Sequence, residues 1–243
     1  MSVSGGGGIG ASFDPDRIAG LQGRTGASGG TPVKRAGTRV WARAAVVILG
    51  FVGSLYVIEG IDAVLSHDRP AGAPGQLDAG GIEPRSADGL DGILWAPLLH
   101  GGWDHLIANT LPLLILGFLV LLSGIGRGIA ATAIIWVVAG VGTWLTGSSG
   151  SVHVGASSLV FGWLTYLICR GWFTRNVGQI VLGVVIFALY GSMLWGVLPS
   201  DPLISWQGHL FGAVGGVLAG WVLSGDERRR RRGASVGRAV PTR

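Results

Sequence analysis

Six apolar stretches separated by polar or glycine-rich connections organise the middle of this chain. The pattern predicts helical spans at 41–65, 104–122, 128–146, 156–169, 178–198 and 207–223. The first is long enough to span even with Arg43 at its start and Glu59 and Asp62 near its end. Asp104 is the expected N-cap of the second, and Pro112 is tolerable inside a membrane helix. The fourth stretch differs from the rest. From Ala156 it runs only to Cys169 before meeting Arg170, and about 14 residues at ~1.5 Å each cannot cross a hydrocarbon core of ~30 Å. Ser157, at its start, is therefore expected inside the membrane. The irregular run Gly147-Ser148-Ser149-Gly150-Ser151 before it is tolerated at that depth only beside a protein-lined, wet cavity.

Composition fits this layout. Hydrophobic residues make up 49% of the 243 and charged residues 13%, against about 25% charged in soluble domains. The mean hydropathy of +0.53 points the same way, so the expected class is an all-α integral membrane protein. The single cysteine, Cys169, excludes an intrachain disulfide and reads as a structural thiol. A net charge of +5 does not indicate a nucleic-acid partner, because the basic residues sit at the two ends and in short loops rather than along an aromatic-studded face. Their placement gives topology instead. Arg127, Arg170, Arg175 and the run Arg228 to Arg232 fall on one side of a six-span layout, together with the N-terminal tail, whereas the opposite loops carry only Arg69 and Arg85. Both termini are thus expected in the cytoplasm. Residues 1–40 read as a disordered, glycine-rich basic tail, 41–224 as the membrane domain and 225–243 as an arginine-rich tail at the lipid surface.

Few polar side chains lie within the spans, and such groups are costly unless they face a bundle interior or cavity. His105 and Asn109 share one face of the second span. His209 begins the sixth, followed by Gly212, Gly216 and Gly220. Counting back from the cytoplasmic charges places Ser157, His209 and Asn109 within about two helical turns of one another in depth. The glycine stripe, with Ser158 and Gly162 on the fourth span, allows the serine and histidine backbones to approach closely. Glycine stripes are also ordinary packing in bundles of every function.

Taken together, His105-x3-Asn109 preceded by His100, the triplet Gly155-Ala156-Ser157, and Gly208-His209-x2-Gly212-x3-Gly216 resemble the rhomboid family of intramembrane serine proteases. The resemblance covers 41–224 and implies a six-helix bundle with a short fourth helix. It implies peptide-bond hydrolysis by a serine and histidine pair without an acidic third member: Ser157 as nucleophile and His209 as general base and acid. The oxyanion would be met by the side chains of His105 and Asn109 and by the backbone N–H of Ser157. Phe161 matches a position often held by a tyrosine that stacks on the catalytic histidine. Ser158 stands where many rhomboids have a second glycine, and a Trp-Arg pair found in some first outer loops is missing.

Gly155 and Gly212 are supporting positions, and His100 is expected to brace the loop entering the second span. His153, four residues before Ser157, is expected to bond locally in its loop or to line a water path. No zinc-binding histidine spacing is present, so neither a metal nor another cofactor is expected. The tryptophans near span ends, such as Trp41, Trp103 and Trp206, read as interfacial anchors. The expected partners are the bilayer and single-span membrane proteins cut in or beside their transmembrane segments, and the address implied by composition is a bacterial plasma membrane. A catalytically silent relative that binds transmembrane clients is the alternative. A channel or transporter would call for intramembrane acids or paired broken helices in repeated halves.

Overall fold

The computed structural model describes residues 34–70, 73–199 and 204–225. The expected N-terminal tail up to residue 33, the loop centre at 200–203 and the arginine run at 228–232 lie outside the described residues. Among the described residues seven α-helices follow one another: α1 (Lys34–Leu65), the single turn α2 (Gly92–Trp95), α3 (Trp103–Leu122), α4 (Ile125–Thr146), α5 (Ser157–Thr174), α6 (Val177–Tyr190) and α7 (Trp206–Leu223). Short 3-10 turns occupy Leu77–Gly80, Ala96–Leu98 and Gly191–Val197, the last continuing directly from α6. No strand forms among the described residues; one isolated bridge joins Ile82 to His153.

Helical periodicity decides what each helix buries. On α1 the buried positions are Ala44, Ile48, Val52, Leu55, Glu59 and Asp62, a stripe at spacings of three and four, whereas Val46, Leu49, Val57, Ile61 and Val64 are exposed. Exposed apolar side chains of this density suit lipid contact rather than water. Helix α5 is different, being buried on all sides from Ser158 to Leu167, as expected of a helix at the centre of a bundle. It packs on α7, which also lies along α4, while α6 touches mainly α5 and buries only Gly183 and Ile186.

The α5–α7 contact depends on missing side chains. A Cβ on Gly212 would collide with the Ser158 carbonyl oxygen, and one on Gly216 would collide with the Gly162 carbonyl oxygen. At this close approach the Thr165 hydroxyl on α5 donates across to the Ala213 carbonyl of α7 at 2.8 Å.

Among the described residues four helices are long and apolar enough to cross a membrane: Arg39–Leu65, Trp103–Leu122, Ile125–Thr146 and Val177–Val197. The expected count of six is not reached by this measure, because α5 and α7 carry the polar and glycine-rich sequences. Other expectations are also corrected. Helix α5 does not stop at Cys169 but continues through Arg170 to Thr174, 18 residues in all, or ~27 Å. Arg170 is accommodated over the Tyr166 ring at 5.8 Å, and the helix ends only where Arg175 turns left-handed at φ 52°. Asp104 is not the N-cap of α3; Gly102, at φ 105°, occupies that place and Asp104 lies in the first turn. The first helix begins at Lys34 rather than Trp41.

Between α1 and α3 the chain folds back over the bundle. Ile82 and His153 exchange backbone hydrogen bonds at 3.0 and 2.9 Å, and the Gly155 N–H donates to the Ala96 carbonyl at 2.8 Å. Arg85 donates to the Gly147 carbonyl at 2.8 Å and to the Ser149 hydroxyl at 2.6 Å. The loop leading into Ser157 is thereby held from the side of the first loop.

Candidate active site

Ser157 opens α5 and His209 lies in the first turn of α7, so the close α5–α7 packing brings two helix N-termini together. The His209 Nε2 is 2.9 Å from the Ser157 Oγ. On the other side of the ring, Nδ1 is 2.9 Å from the Gly196 carbonyl oxygen. A carbonyl only accepts, so Nδ1 carries the proton, Nε2 presents its lone pair, and the serine hydroxyl donates to it. The Phe161 ring, one turn beyond Ser157, stacks on the imidazole with centroids 4.0 Å apart and planes inclined by 9°. His209 is thus fixed in tautomer by one contact and in plane by another.

Gly196 was not legible in the sequence as part of this arrangement. It belongs to the 3-10 turn after α6, and a Cβ there would lie 2.9 Å from Phe161 Cζ and 3.3 Å from His209 Nδ1. Only glycine lets the chain bring its carbonyl so near the ring, and the second glycine of Gly191-Ser192-Met193-Leu194-Trp195-Gly196 carries no distinguishing sign.

A second support holds the start of α7. Ser205 is its N-cap, accepting from the Gly208 N–H at 3.3 Å. The Ser151 hydroxyl donates to the Ser148 carbonyl at 2.6 Å and so accepts from His153 Nε2 at 3.0 Å. His153 Nδ1 is left to accept the Ser205 hydroxyl proton at 2.8 Å. Burial holds His153 below the ordinary histidine pKa, which preserves this neutral form. A serine just before Trp206 is an N-cap signature that sequence reading could have used.

The expected oxyanion donors lie beside the serine loop without bonding to Ser157. His105 packs its ring against Gly155: a Cβ on that glycine, which sits at φ 121°, would lie 2.6 Å from His105 Cε1. Asn109 is buried and its amide donates to the His105 carbonyl at 3.0 Å, leaving a second amide hydrogen. His100 lies edge-on to His105 at 5.3 Å. Its Nε2 accepts the Ala156 N–H at 3.4 Å, and burial first, then the His105 ring, push its pKa down to about 4. Ser158, the neighbouring hydroxyl, is buried against Gly212. A small cavity of about 20 Å³ opens between Ser157, Ser158, His153 and Ser205, room for about one water. Among the described residues no three His, Cys, Asp or Glu side chains converge as a metal site would need.

The profile of the Rhomboid domain family matches residues 90–226. The chain is 48% identical over 199 residues to an uncharacterized protein of Mycobacterium tuberculosis, covering 79% of this chain and 80% of that one. It is 44% identical over 199 residues to an uncharacterized protein of Mycobacterium leprae, covering 79% and 76%. With a Bacillus subtilis protein named as rhomboid protease YdcA it shares 30% identity over 135 residues, 55% of this chain and 67% of that one. No solved structure matches.

Proposed function

Because the chain belongs to the rhomboid family, we propose that it is an intramembrane serine endopeptidase that hydrolyses peptide bonds in or near the transmembrane segments of other membrane proteins. The observation that carries the reading is the 2.9 Å contact between Ser157 Oγ and His209 Nε2, with Nδ1 committed to a backbone carbonyl. In the reaction Ser157 attacks the scissile carbonyl while His209 takes its proton. His209 then delivers that proton to the leaving amine, and a water deacylates the enzyme by the same route in reverse. The Gly196 carbonyl does the orienting work that a carboxylate does in soluble triads. It supplies no negative charge, so the imidazolium is less stabilised. Its advantage is that no buried carboxylate has to be accommodated.

The developing oxyanion is assigned to the Ser157 N–H at the start of α5, helped by the dipole of that helix, and to the His105 and Asn109 side chains once substrate draws them in. The bundle is proposed to contribute six spans, with α5 at its centre and α7 packed on it, both termini in the cytoplasm of a bacterium and the site open outward.

The test is cleavage of a fluorogenic transmembrane peptide by purified protein in detergent. Ser157→Ala and His209→Ala are each expected to lower the rate by ~10⁴-fold or more, and His105→Ala or Asn109→Ala by ~10²-fold. Equal cutting by wild type and both dyad variants would sink the proposal. A folded but silent wild type across varied peptides would turn the reading to a client-binding relative.

A further inference from the structure

The stripe that α1 turns toward the bundle ends in two acids, and a third comes to meet them. Glu59, Asp62 and Asp78 are 4%, 5% and 6% exposed, values typical of core leucines rather than carboxylates. They line a cavity of about 890 Å³ closed by the first loop, by Trp103 at the start of α3 and by Val154 in the loop before Ser157. Val154 lines both this cavity and the small one at Ser157, so the two are neighbours.

Buried carboxylates are ordinarily paired or fully hydrogen-bonded, and these are not. Asp62 Oδ1 accepts the Leu77 N–H at 2.7 Å and the Ser66 hydroxyl at 3.4 Å, and Asp78 Oδ2 accepts the Gly75 N–H at 2.9 Å. Asp78 Oδ1 is buried with no partner at all. No ion pair reaches any of the three acids among the described residues. The cation on the wall, Arg69, spends its guanidinium on the Pro74 carbonyl at 2.7 Å and the Gly75 carbonyl at 3.4 Å. Burial, with Asp62 nearby, lifts the Asp78 pKa although the Gly75 N–H and the Arg69 charge pull the other way, so the one cation on the wall does not offset the burial of these acids. The three carboxylates do not converge as metal ligands do. Their spread, and a volume in the range of organic ligand sites, suit a larger cation that can reach more than one acid.

We propose that this cavity receives the ammonium or guanidinium head of a lysine or arginine on the outer flank of a substrate's transmembrane segment, and so registers the scissile bond against Ser157. The inference rests on the protease reading for its substrate, though the binding step does not depend on cleavage. A long basic side chain brings its own hydrocarbon stem, which Trp103 and the alanines of the wall can cover, and its head adds a second positive charge where Arg69 alone faces three acids.

The experiment uses full-length protein in non-ionic detergent. Fluorescent single-span peptides carry either lysine or glutamine at successive positions of the outer flank. Affinity for Ser157→Ala protein is read by anisotropy, and KM and kcat with wild type. At one or two positions lysine should bind about tenfold tighter than glutamine, the worth of one charge-assisted hydrogen bond. The preference should appear in KM and not in kcat. It should vanish in Asp78→Asn and in Glu59→Gln, both close in shape to the native residues, while the glutamine peptide binds as before. A glutamate peptide should bind more weakly than either.

Equal affinity of lysine and glutamine peptides at every position, with cleavage intact, overturns this proposal and leaves the protease reading standing. A lysine preference in binding without any cleavage supports the cavity and counts against the protease. A preference that disappears on adding phosphatidylethanolamine assigns the cavity to lipid ammonium groups and overturns the substrate assignment.

Discussion

Substituting Gly212 by alanine is a sharp test of the idea that backbone contact between α5 and α7 sets the reaction geometry. The new methyl group would lie 3.0 Å from the Ser158 carbonyl carbon and 3.2 Å from its Cα, with the carbonyl oxygen nearer still. All three are backbone atoms of the residue after Ser157, so no rotamer change can relieve the collision. Restoring ordinary contact distance requires the helices to part by ~1 Å. Overpacking of this kind costs ~1–3 kcal/mol of stability, and a 1 Å misplacement of reacting groups costs ~10²-fold in rate. Gly53→Ala on α1 is the control, since nothing lies within 4 Å of its Cβ position; it should leave the rate alone and stabilise by about 0.5–1 kcal/mol through helix propensity. The assay pairs peptide cleavage with thermal unfolding in detergent. Gly212→Ala should lose kcat well beyond what its unfolding temperature accounts for. A variant that unfolds earlier yet cuts at the wild-type rate would refute the link between this contact and the dyad.

Further expectations follow from the groups around the dyad. Ser205→Ala removes the N-cap of α7 and the partner of His153, and should cost about 1 kcal/mol with a fall in kcat and little change in KM, read by the same cleavage assay. His100 has its pKa lowered from 6.5 to about 4, so below pH 6.5 the unfolded chain binds a proton that the folded chain refuses. Stability should then fall as pH drops from 6.5 toward 4, by up to about 3 kcal/mol, and stay flat above. His100→Gln, whose amide oxygen can still accept the Ala156 N–H, should flatten that profile in a thermal-unfolding series; an unchanged slope would place the acid sensitivity elsewhere.

The parts of this molecule that sequence made legible are those written in side chains and their spacing. Apolar runs gave the helices, the α5–α7 glycines gave the close approach, and the motifs around Ser157 and His209 named two residues that the structure places 2.9 Å apart. What stayed hidden lies in the backbone or depends on chain returning from far away. The acceptor for His209 is a carbonyl, and Gly196 contributes by having no side chain. Glu59 and Asp62 read as charges marking a span's end, because nothing local says that the segment around Leu77 folds over them. Arg170 read as a stop, although its charge lies over Tyr166 and the helix runs on.

The shortfall from six apolar spans to four has a physical cause of the same kind. Hydropathy measures how well a helix faces lipid, and α6, which buries only Gly183 and Ile186, is among the helices that satisfy it. Helix α5 is surrounded by other helices, so its composition answers to its neighbours instead: small residues where α7 touches, Thr165 where a carbonyl needs a donor, Trp163 where Thr132 can accept its N–H at 3.0 Å. The α5–α7 contact buries His209 against the start of α5, where Ser157 lies 2.9 Å away. Helix α7 is shielded on one side only, its Val214, Leu218 and Trp221 being exposed, and its lower hydropathy comes from the glycines and polar groups of the side that meets α5.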